Sequence, residues 1–428
     1  MKSFQPFSAL KNRNFRLFWF AQIISLTGSW MHSVAQGWLV LKLTDSPFYL
    51  GFVGTIGGLP ILLFSLFGGV VADRVSKKDL LVTTQIIFAL LALTLAVLVS
   101  AGIARVWHVI LLAFFMGVVS AFDIPAKQSF IMEMVGKESL LNAVALNSAA
   151  FNGARIIGPA IAGLLIGYLG IAVCFYINAL SFVATIVGFL KMRLDEELPD
   201  GTASDKPLPA KRPFFIGSFL PNIDKKLFRN MIEELKEGLK YIFTEQKIYT
   251  LIIFVAITSL FGFPYITFLP VYARDILKTG STGLGVLMGS AGAGAFTGAL
   301  GLTLKKDFEN KGLLFAASGI IFPLALLVFS YSTVPWLSSV MLFIVGWGAI
   351  SQMATANSIL QITAPDRLRG RVMSAFTLMF LGMATVGNFI VGSIAHYLGT
   401  QHAVAVSAVL CLCGIISILL KAPRILKI

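Results

Sequence analysis

Charged residues are scarce in this sequence, and those that occur are mostly basic. Only 13% of the 428 residues are Asp, Glu, Lys or Arg, and 57% are hydrophobic, whereas soluble domains carry roughly 25% charged residues. Mean hydropathy is +0.85. Apolar stretches of about 20 residues, the length that crosses ~30 Å of hydrocarbon, recur along the chain. A soluble globular protein is excluded, and the sequence predicts an all-α membrane protein with many spans.

Cysteine and nucleotide-binding glycines are also nearly absent. Cys174, Cys411 and Cys413 all fall in apolar stretches, and the last two are spaced so that they face different sides of a helix. We therefore expect neither a disulfide nor a metal site. No G-x-x-x-x-G-K-S/T occurs, so ATP hydrolysis by this chain is not predicted. No His, Cys and carboxylate cluster has catalytic spacing, and the sequence predicts no enzyme and no cofactor.

The distribution of basic residues predicts the topology. The apolar stretches predict twelve spans, at about 16–41, 48–72, 80–102, 105–126, 141–168, 171–192, 248–272, 281–304, 312–332, 335–358, 372–398 and 402–421. With the N-terminus inside, 29 of the 34 Lys and Arg lie on one side, four lie on the other, and Arg155 lies within a span. By the positive-inside rule both termini are cytoplasmic. The net charge of +14 is then explained by topology, and a nucleic-acid partner is not expected.

The longest interval between spans divides the chain. Residues 193–247 are rich in Pro, Asp and Lys at their start, which favours a cytoplasmic linker. Within it, residues 228–243 place apolar side chains at helical spacing, which predicts an amphipathic helix on the membrane surface. We expect an N-terminal six-helix bundle over 1–192 and a C-terminal one over 248–428. The N-terminal apolar stretch is too long for a cleaved signal, so the first span is expected to remain.

The two halves are internally related. Shifting residues 107–170 by 229 positions onto 336–399 requires no gap and aligns several glycines and aromatic residues. The matched pairs include Trp107 with Trp336, Gly117 with Gly346, Gly153 with Gly382, Gly158 with Gly387 and Gly163 with Gly392. Duplicated bundles are typical of secondary transporters, which move two halves around a site near the bilayer midplane.

Two motifs indicate a family. The stretch "GGVVADRVSKKDLL" after the second span resembles the loop signature G-x-x-x-D-R-x-G-R-R/K of the major facilitator superfamily, through Gly69, Asp73, Arg74, Lys77 and Lys78. Such a loop is expected to form a latch on the cytoplasmic face, with "LRGRVMSA", which contains Arg371, as its partner. The alternative is a basic loop that only obeys the positive-inside rule.

The stretch "GPAIAG" in the fifth span resembles the antiporter pattern G-P-x-x-G-G of exporters in the same superfamily. With "SAFDIPAKQSFIMEMVGKESLLNAVALNS" and "CFYINALSF", it is similar to the branch that exports macrolides, other drugs and the siderophore enterobactin. This resemblance spans essentially the whole chain and implies the major facilitator fold, with two pseudo-symmetric six-helix bundles. It also implies a monomer in a bacterial inner membrane, a small-molecule substrate, and H⁺ as the coupling ion.

Two residues expected in proton-coupled drug exporters are missing. The first span contains no carboxylate, and the fourth span, "HVILLAFFMGVVSA", contains no arginine. These departures leave the coupling ion open, while export is less affected.

Polar residues within spans are the candidate substrate or coupling residues, because charges in the membrane are costly and usually mark a pathway. Ser148, Asn152, Arg155 and Pro159 share one stripe of a helix, which is expected to face a central cavity. A second stripe, suited to close packing, contains Ala150, Ala154, Gly158 and Ala162. The helix-packing and antiporter motif of this span is assigned to Gly153, Gly158, Pro159 and Gly163.

Alternatives stay open for each candidate. Arg155 either binds anionic or carbonyl-bearing cargo or a coupling carboxylate, or it only links helices. Asp123 is either a proton-coupling site or a gate contact with Lys127 or Arg74, and its counterpart in the second half is Gln352. His32 lies mid-span and titrates near neutral pH when unperturbed, although a core histidine is the alternative.

Together these features predict a secondary active transporter that exports a small amphipathic molecule by alternating access, driven by a proton gradient. A lipid or lysophospholipid transporter of the same fold is one alternative, because the expected cavity is mostly apolar. A non-transporting receptor or channel is another, which the duplicated halves and the loop motif disfavour.

Overall fold

The computed structural model describes residues 8–193, 240–304, 311–365 and 368–422. A single helical turn, Ser8–Lys11, precedes the long helices. These are α1 Arg13–Thr44, α2 Pro47–Arg74, α3 Lys77–Ser100, α4 Val106–Gly136, α5 Asn142–Leu169, α6 Ile171–Leu190, α7 Gln246–Ile276, α8 Gly280–Leu304, α9 Lys311–Ser330, α10 Pro335–Thr363, α11 Arg369–Leu398 and α12 Thr400–Lys421. The predicted surface helix at 228–243 lies almost wholly outside the described residues.

Local chemistry explains where the helices begin and end. The Asn12 side chain accepts a hydrogen bond from the Phe15 amide and caps α1. Gly136, with φ of 66°, separates α4 from α5 because left-handed backbone cannot continue a helix. Gly170 and Gly399, with φ of 88° and 83°, separate α5 from α6 and α11 from α12. These last two glycines are equivalent under the shift of 229 positions, so the duplicated sequence makes the same turn twice.

Eleven helices in the described part of the chain are long and apolar enough to cross a membrane. The helix that does not meet this criterion is α1, which has 32 residues and packs among the others. Polar side chains such as Gln22, His32 and Gln36 lower its hydropathy. The predicted twelve spans are thus matched by eleven candidate spans and one equally long, more polar helix.

The seventh helix is irregular along its length. It passes through π-helical turns at Thr258–Gly262 and Tyr272–Ile276, with Pro264 and Pro270 between them. Each π turn adds a residue to the local helical register and widens the helix. The sequence predicts bending at these prolines, and the structure interrupts the helix in the same region.

Short turns join consecutive helices, so neighbours in the chain run antiparallel. The turns after the odd-numbered helices, at residues 45–46, 101–105, 170, 277–279, 331–334 and 399, lie together at what we name the seal end. The opposite end, which includes residues 75–76 and Arg193, is named the linker end.

Equivalent glycines form equivalent contacts in the two halves. A Cβ added at Gly117 of α4 would lie 2.2 Å from the Gly57 oxygen of α2. At Gly346 of α10 it would lie 1.9 Å from the Ala291 oxygen of α8. Both distances are far below van der Waals contact, so these helices approach closely only because the glycines lack side chains. The duplicated sequence is therefore accompanied by duplicated close contacts between helices.

Candidate functional site

A small pocket lies between the two halves near the middle of the helices. It is lined by Trp30, Arg155, Ile266, Leu269, Met288 and Ala291. These residues belong to α1, α5, α7 and α8, so both halves contribute to the lining. Five of the six side chains are apolar, and the guanidinium of Arg155 is the charged group of the lining.

Arg155 is buried, with an exposed fraction of 8%. Its Cζ atom lies 5.8 Å from the centroid of the Trp30 ring, which is within range of a cation–π interaction. Among the described residues, no carboxylate forms an ion pair with it. On α7, the Tyr265 hydroxyl is buried without a hydrogen-bond partner in the described part of the chain.

Two faces of α5 have different surroundings. The small residues Ala150, Ala154 and Ala162 are buried, and a Cβ at Gly158 would lie 2.6 Å from the Trp30 Cβ of α1. On the polar stripe, the Asn152 amide donates to the Ser148 carbonyl at 2.9 Å. Ser148 is exposed. The structure thus packs the small stripe against α1 and places Arg155 in the pocket, while Ser148 and Asn152 do not line that pocket.

Asp123 has partners within its own half. Its carboxylate accepts hydrogen bonds from Thr84 at 2.7 Å and Gln85 at 2.8 Å. It also forms an ion pair with Lys127 at 2.8 Å. Of the two contacts that the sequence offered, Lys127 is thus present, whereas no described contact joins Asp123 to Arg74 or Arg155. The carboxylate therefore fastens α3 to α4.

Gln352, the counterpart of Asp123, occupies the corresponding position between α10 and α9. It is fully buried, and both its side-chain amide atoms are without a partner among the described residues. A Cβ at Gly319 of α9 would lie 3.3 Å from its Oε1 atom. Neither Asp123 nor Gln352 lines the pocket.

His32 lies inside the first half and not in the pocket. Its ring packs edge-on against Phe175 with 4.8 Å between the centroids, and its Nε2 atom is 3.2 Å from Gln36 Oε1. Its Nδ1 atom is buried and unpartnered in the described part of the chain. This environment favours the core role that the sequence left as an alternative.

The loop motif between α2 and α3 makes contacts within the first half. Lys77 forms an ion pair with Glu133 at 2.6 Å, and Lys78 donates to the Met192 carbonyl at 3.0 Å. Asp73 and Arg74 are exposed, and nothing lies within 4 Å of a Cβ added at Gly69. The contacts described for this loop do not include α11, on which Arg371 lies.

At the seal end a charged cluster joins the halves. The Arg274 guanidinium pairs with the carboxylates of Asp45 and Asp275, and it donates to the Leu41 carbonyl at 3.2 Å. By its position in the sequence, Arg274 is one of the four basic residues expected on the outer side. A usable signal was present, because Asp45 and Arg274 are 229 positions apart, the shift that relates the halves, and carry opposite charges.

Glycines bring two further pairs of helices together at the seal end. Between α5 and α8, Ser281 donates to the Gly163 carbonyl at 3.0 Å, and a Cβ at Gly285 would lie 2.7 Å from the Pro159 oxygen. Between α2 and α11, Thr55 donates to the Thr385 carbonyl at 3.1 Å, and a Cβ at Gly51 would lie 2.3 Å from the Asn388 oxygen.

Two glycines nearer the linker end are not in such contacts. Nothing lies within 4 Å of a Cβ added at Gly153 of α5 or at Gly301 of α8. Gly153 therefore faces open space, unlike Gly158 and Gly163, which are both in tight contacts. The close contacts expected of this glycine motif are present at two of its three positions.

Comparison with protein families decides the assignment. The model of the transmembrane secretion effector family matches residues 4–204 and 222–427, which is nearly the whole chain. The chain belongs to this family of the major facilitator superfamily. Members of this superfamily are transporters, so the chain is a multi-pass membrane transport protein and not an enzyme.

Three bacterial transporters are among the proteins similar in sequence to this chain. The staphyloferrin A transporter of Staphylococcus aureus (strain NCTC 8325 / PS 47) is 23% identical over 93% of this chain and 94% of its own. The multidrug efflux pump Tap of Mycolicibacterium fortuitum is 25% identical over 95% of both chains. Macrolide efflux protein A of Streptococcus pyogenes is 21% identical over 93% of both.

A solved transporter structure has the same fold as this chain. A bacterial homologue of the human lysosomal transporter Spinster, in an inward-facing and occupied conformation, matches with a TM-score of 0.72. The match covers 99% of this chain and 98% of that one at 13% identity, a level that shows the fold alone.

Proposed function

We propose that this protein exports a small amphipathic molecule by alternating access, and that a proton gradient drives the export. The observation that carries the proposal is the pocket between the halves, which combines an apolar lining with one buried cation. An amphipathic molecule has an apolar body for the lining and a polar group for the guanidinium. The efflux pumps among the relatives support the direction of transport.

The contacts between the halves support a two-state cycle. Charged and glycine-mediated contacts close the seal end, whereas Gly153 of α5 and Gly301 of α8, nearer the linker end, are not in such contacts. A pocket between the halves is then reached from the linker end in this conformation. Separation of the seal and closure of the linker end would expose the same pocket to the opposite side.

Positive charge supports an orientation for this cycle. Most of the basic residues lie in the linker-end segments, so we assign the linker end to the cytoplasm and the membrane to the bacterial inner membrane. Both termini are then cytoplasmic, and the described conformation is open inward. Residues 1–192 and 248–428 are the moving halves, 193–247 is the linker, and the loop with Asp73 closes against α11 in the outward-open state.

Transport in proteoliposomes tests the proposal. We expect accumulation of a radiolabelled drug or siderophore from a panel of such compounds when the lumen corresponds to the cell exterior and is acidic. Collapse of the pH gradient with nigericin should abolish accumulation above equilibrium and leave counterflow intact. Ion flux that continues without substrate turnover would instead support a channel.

A further inference from the structure

Arg155 is a buried cation for which no described residue supplies a counterion. Taking a cation out of water is unfavourable unless a partner offsets the lost hydration. Polar groups placed within a membrane bundle are ordinarily paired with one another or face an aqueous path. The Trp30 face offers Arg155 partial compensation, but a ring carries no negative charge. The pocket is thus an electropositive site whose complement is an anion.

Tyr265 provides a second observation that points to a ligand. Tyr265 is 2% exposed, and its hydroxyl has no hydrogen-bond partner in the described part of the chain. Leaving a buried hydroxyl without a hydrogen bond is unfavourable, so a ligand that pairs with it is favoured. Tyr265 directly precedes Ile266 of the pocket lining in the chain. Two unmatched donors therefore lie on opposite halves of the protein, one on α5 and one on α7.

We infer that the cargo is an organic anion, and that its carboxylate or similar acidic group binds Arg155 and Tyr265 while its apolar body lies against Trp30, Met288 and Leu269. This inference rests on the proposed transport function, because it places the cargo between the halves. Charge-assisted hydrogen bonds to a carboxylate are stronger than neutral ones. The unpaired guanidinium therefore disfavours cationic cargo. A neutral molecule cannot accept the stronger, charge-assisted hydrogen bond that a carboxylate accepts.

Equilibrium binding tests the inference without any need for transport. The probes are 2-naphthoate, its neutral analogue 2-naphthamide and its cationic analogue 2-naphthylmethylamine, titrated calorimetrically into the full-length protein in lipid nanodiscs. Empty nanodiscs provide the correction for partition into lipid. We expect the wild type to bind the carboxylate about tenfold or more tightly than the amide, with the amine weakest. Equal affinities for the carboxylate and the amide, or no binding of the carboxylate, would overturn the inference.

Variants separate binding from folding. Arg155→Gln should bind 2-naphthoate and 2-naphthamide equally, whereas Arg155→Lys should keep a preference for the carboxylate. Tyr265→Phe removes a hydroxyl that has no described partner, so the fold should tolerate it while carboxylate affinity falls several-fold. Ser259→Ala is the matched control, because its buried hydroxyl on the same helix is also unpartnered in the described part of the chain, while Ser259 lies seven residues from Ile266 of the lining and Tyr265 adjoins it.

The results remain interpretable if a variant does not fold. When Arg155→Gln cannot be purified as a monodisperse protein, the three-probe comparison on wild type and Arg155→Lys decides the question. A carboxylate preference that persists in folded Arg155→Gln, or that Tyr265→Phe and Ser259→Ala reduce equally, contradicts the assignment. Export confined to neutral or cationic compounds would refute the anion and leave the proposed function standing, whereas anion binding without transport would do the reverse.

Discussion

At the scale of single residues, the contacts of Asp123 assign it a structural role that its sequence position alone does not reveal. Its carboxylate is matched by Thr84, Gln85 and Lys127. Replacement by Asn leaves the Lys127 ammonium, whose side chain is 17% exposed, without its counterion. We expect Asp123→Asn to cost about 3 kcal/mol of stability, the lower end for breaking a buried pair. Thermal unfolding in detergent measures the loss.

A double variant provides the control. Asp123→Asn combined with Lys127→Met removes both charges and should recover most of the stability, which a double-mutant cycle quantifies. Transport per folded molecule should keep its pH dependence in the single variant. If pH dependence disappears while stability is unchanged, Asp123 is the proton site.

Sequence predicts the identity of such residues but not their partners. Asp123, Arg155 and His32 were all recognisable as polar groups in apolar spans. Their roles diverge because the neighbours lie on other helices: α3 supplies partners to Asp123, Phe175 of α6 covers His32, and no described acid reaches Arg155. Which helix face meets which neighbour depends on packing over the whole bundle, and that information is not local.

At the scale of elements, the glycines of α5 differ in how closely neighbouring helices approach them. A Cβ at Gly163 would lie 2.6 Å from the Ser281 carbonyl oxygen of α8, whereas a Cβ at Gly153 would have no atom within 4 Å. Both substitutions to Ala favour the helix itself by roughly 1 kcal/mol. We expect Gly163→Ala to push α5 and α8 apart and to shift the protein towards opening at the seal end.

Spin labels on opposite halves measure this shift. Cysteines replace Ala101 and Thr333, which are exposed at the seal end, in a variant whose three native cysteines are alanines. The population with a long distance between the labels should rise in Gly163→Ala and stay unchanged in Gly153→Ala. Equal distance distributions in both variants would show that the close approach at Gly163 does not hold the seal.

Helix existence and approximate limits were predictable at this scale, because apolarity over the width of a bilayer is a strong signal. The predicted 171–192 span corresponds to Ile171–Leu190, and 402–421 corresponds to Thr400–Lys421. The fourth span was predicted too short, at 105–126, and extends to Gly136. Asp123, Lys127 and Glu133 obscured its continuation, since charges that are paired within the bundle look the same in sequence as charges in a loop.

At the scale of the whole molecule, the pair of Arg274 and Asp45 lies where the two halves meet at the seal end. Its side chains are 32% and 81% exposed, so the ion pair alone contributes little. With the Leu41 carbonyl contact, the cluster is worth about 1 kcal/mol. We expect Arg274→Gln to increase the seal-open population roughly fivefold.

The same labels at Ala101 and Thr333 report this change. Arg274→Lys keeps the charge opposite Asp45 and should retain part of the seal. Because the pair is exposed, raising the salt concentration should move the wild type in the same direction as the variant. An Arg274→Gln distribution that matches wild type at low salt would exclude a role for the cluster in closing this end.

The glycine contacts between α5 and α8 and between α2 and α11 have a thermodynamic consequence. Each side chain that becomes ordered in an interface loses rotamer freedom, at a cost of up to about 2 kcal/mol for long side chains. Gly163, Gly285 and Gly51 have no rotamers to lose, so these helices can meet and separate with little change in side-chain entropy. The contribution of these contacts to the free-energy difference between the two conformations should then vary only weakly with temperature, and cargo and ions are left to control the balance.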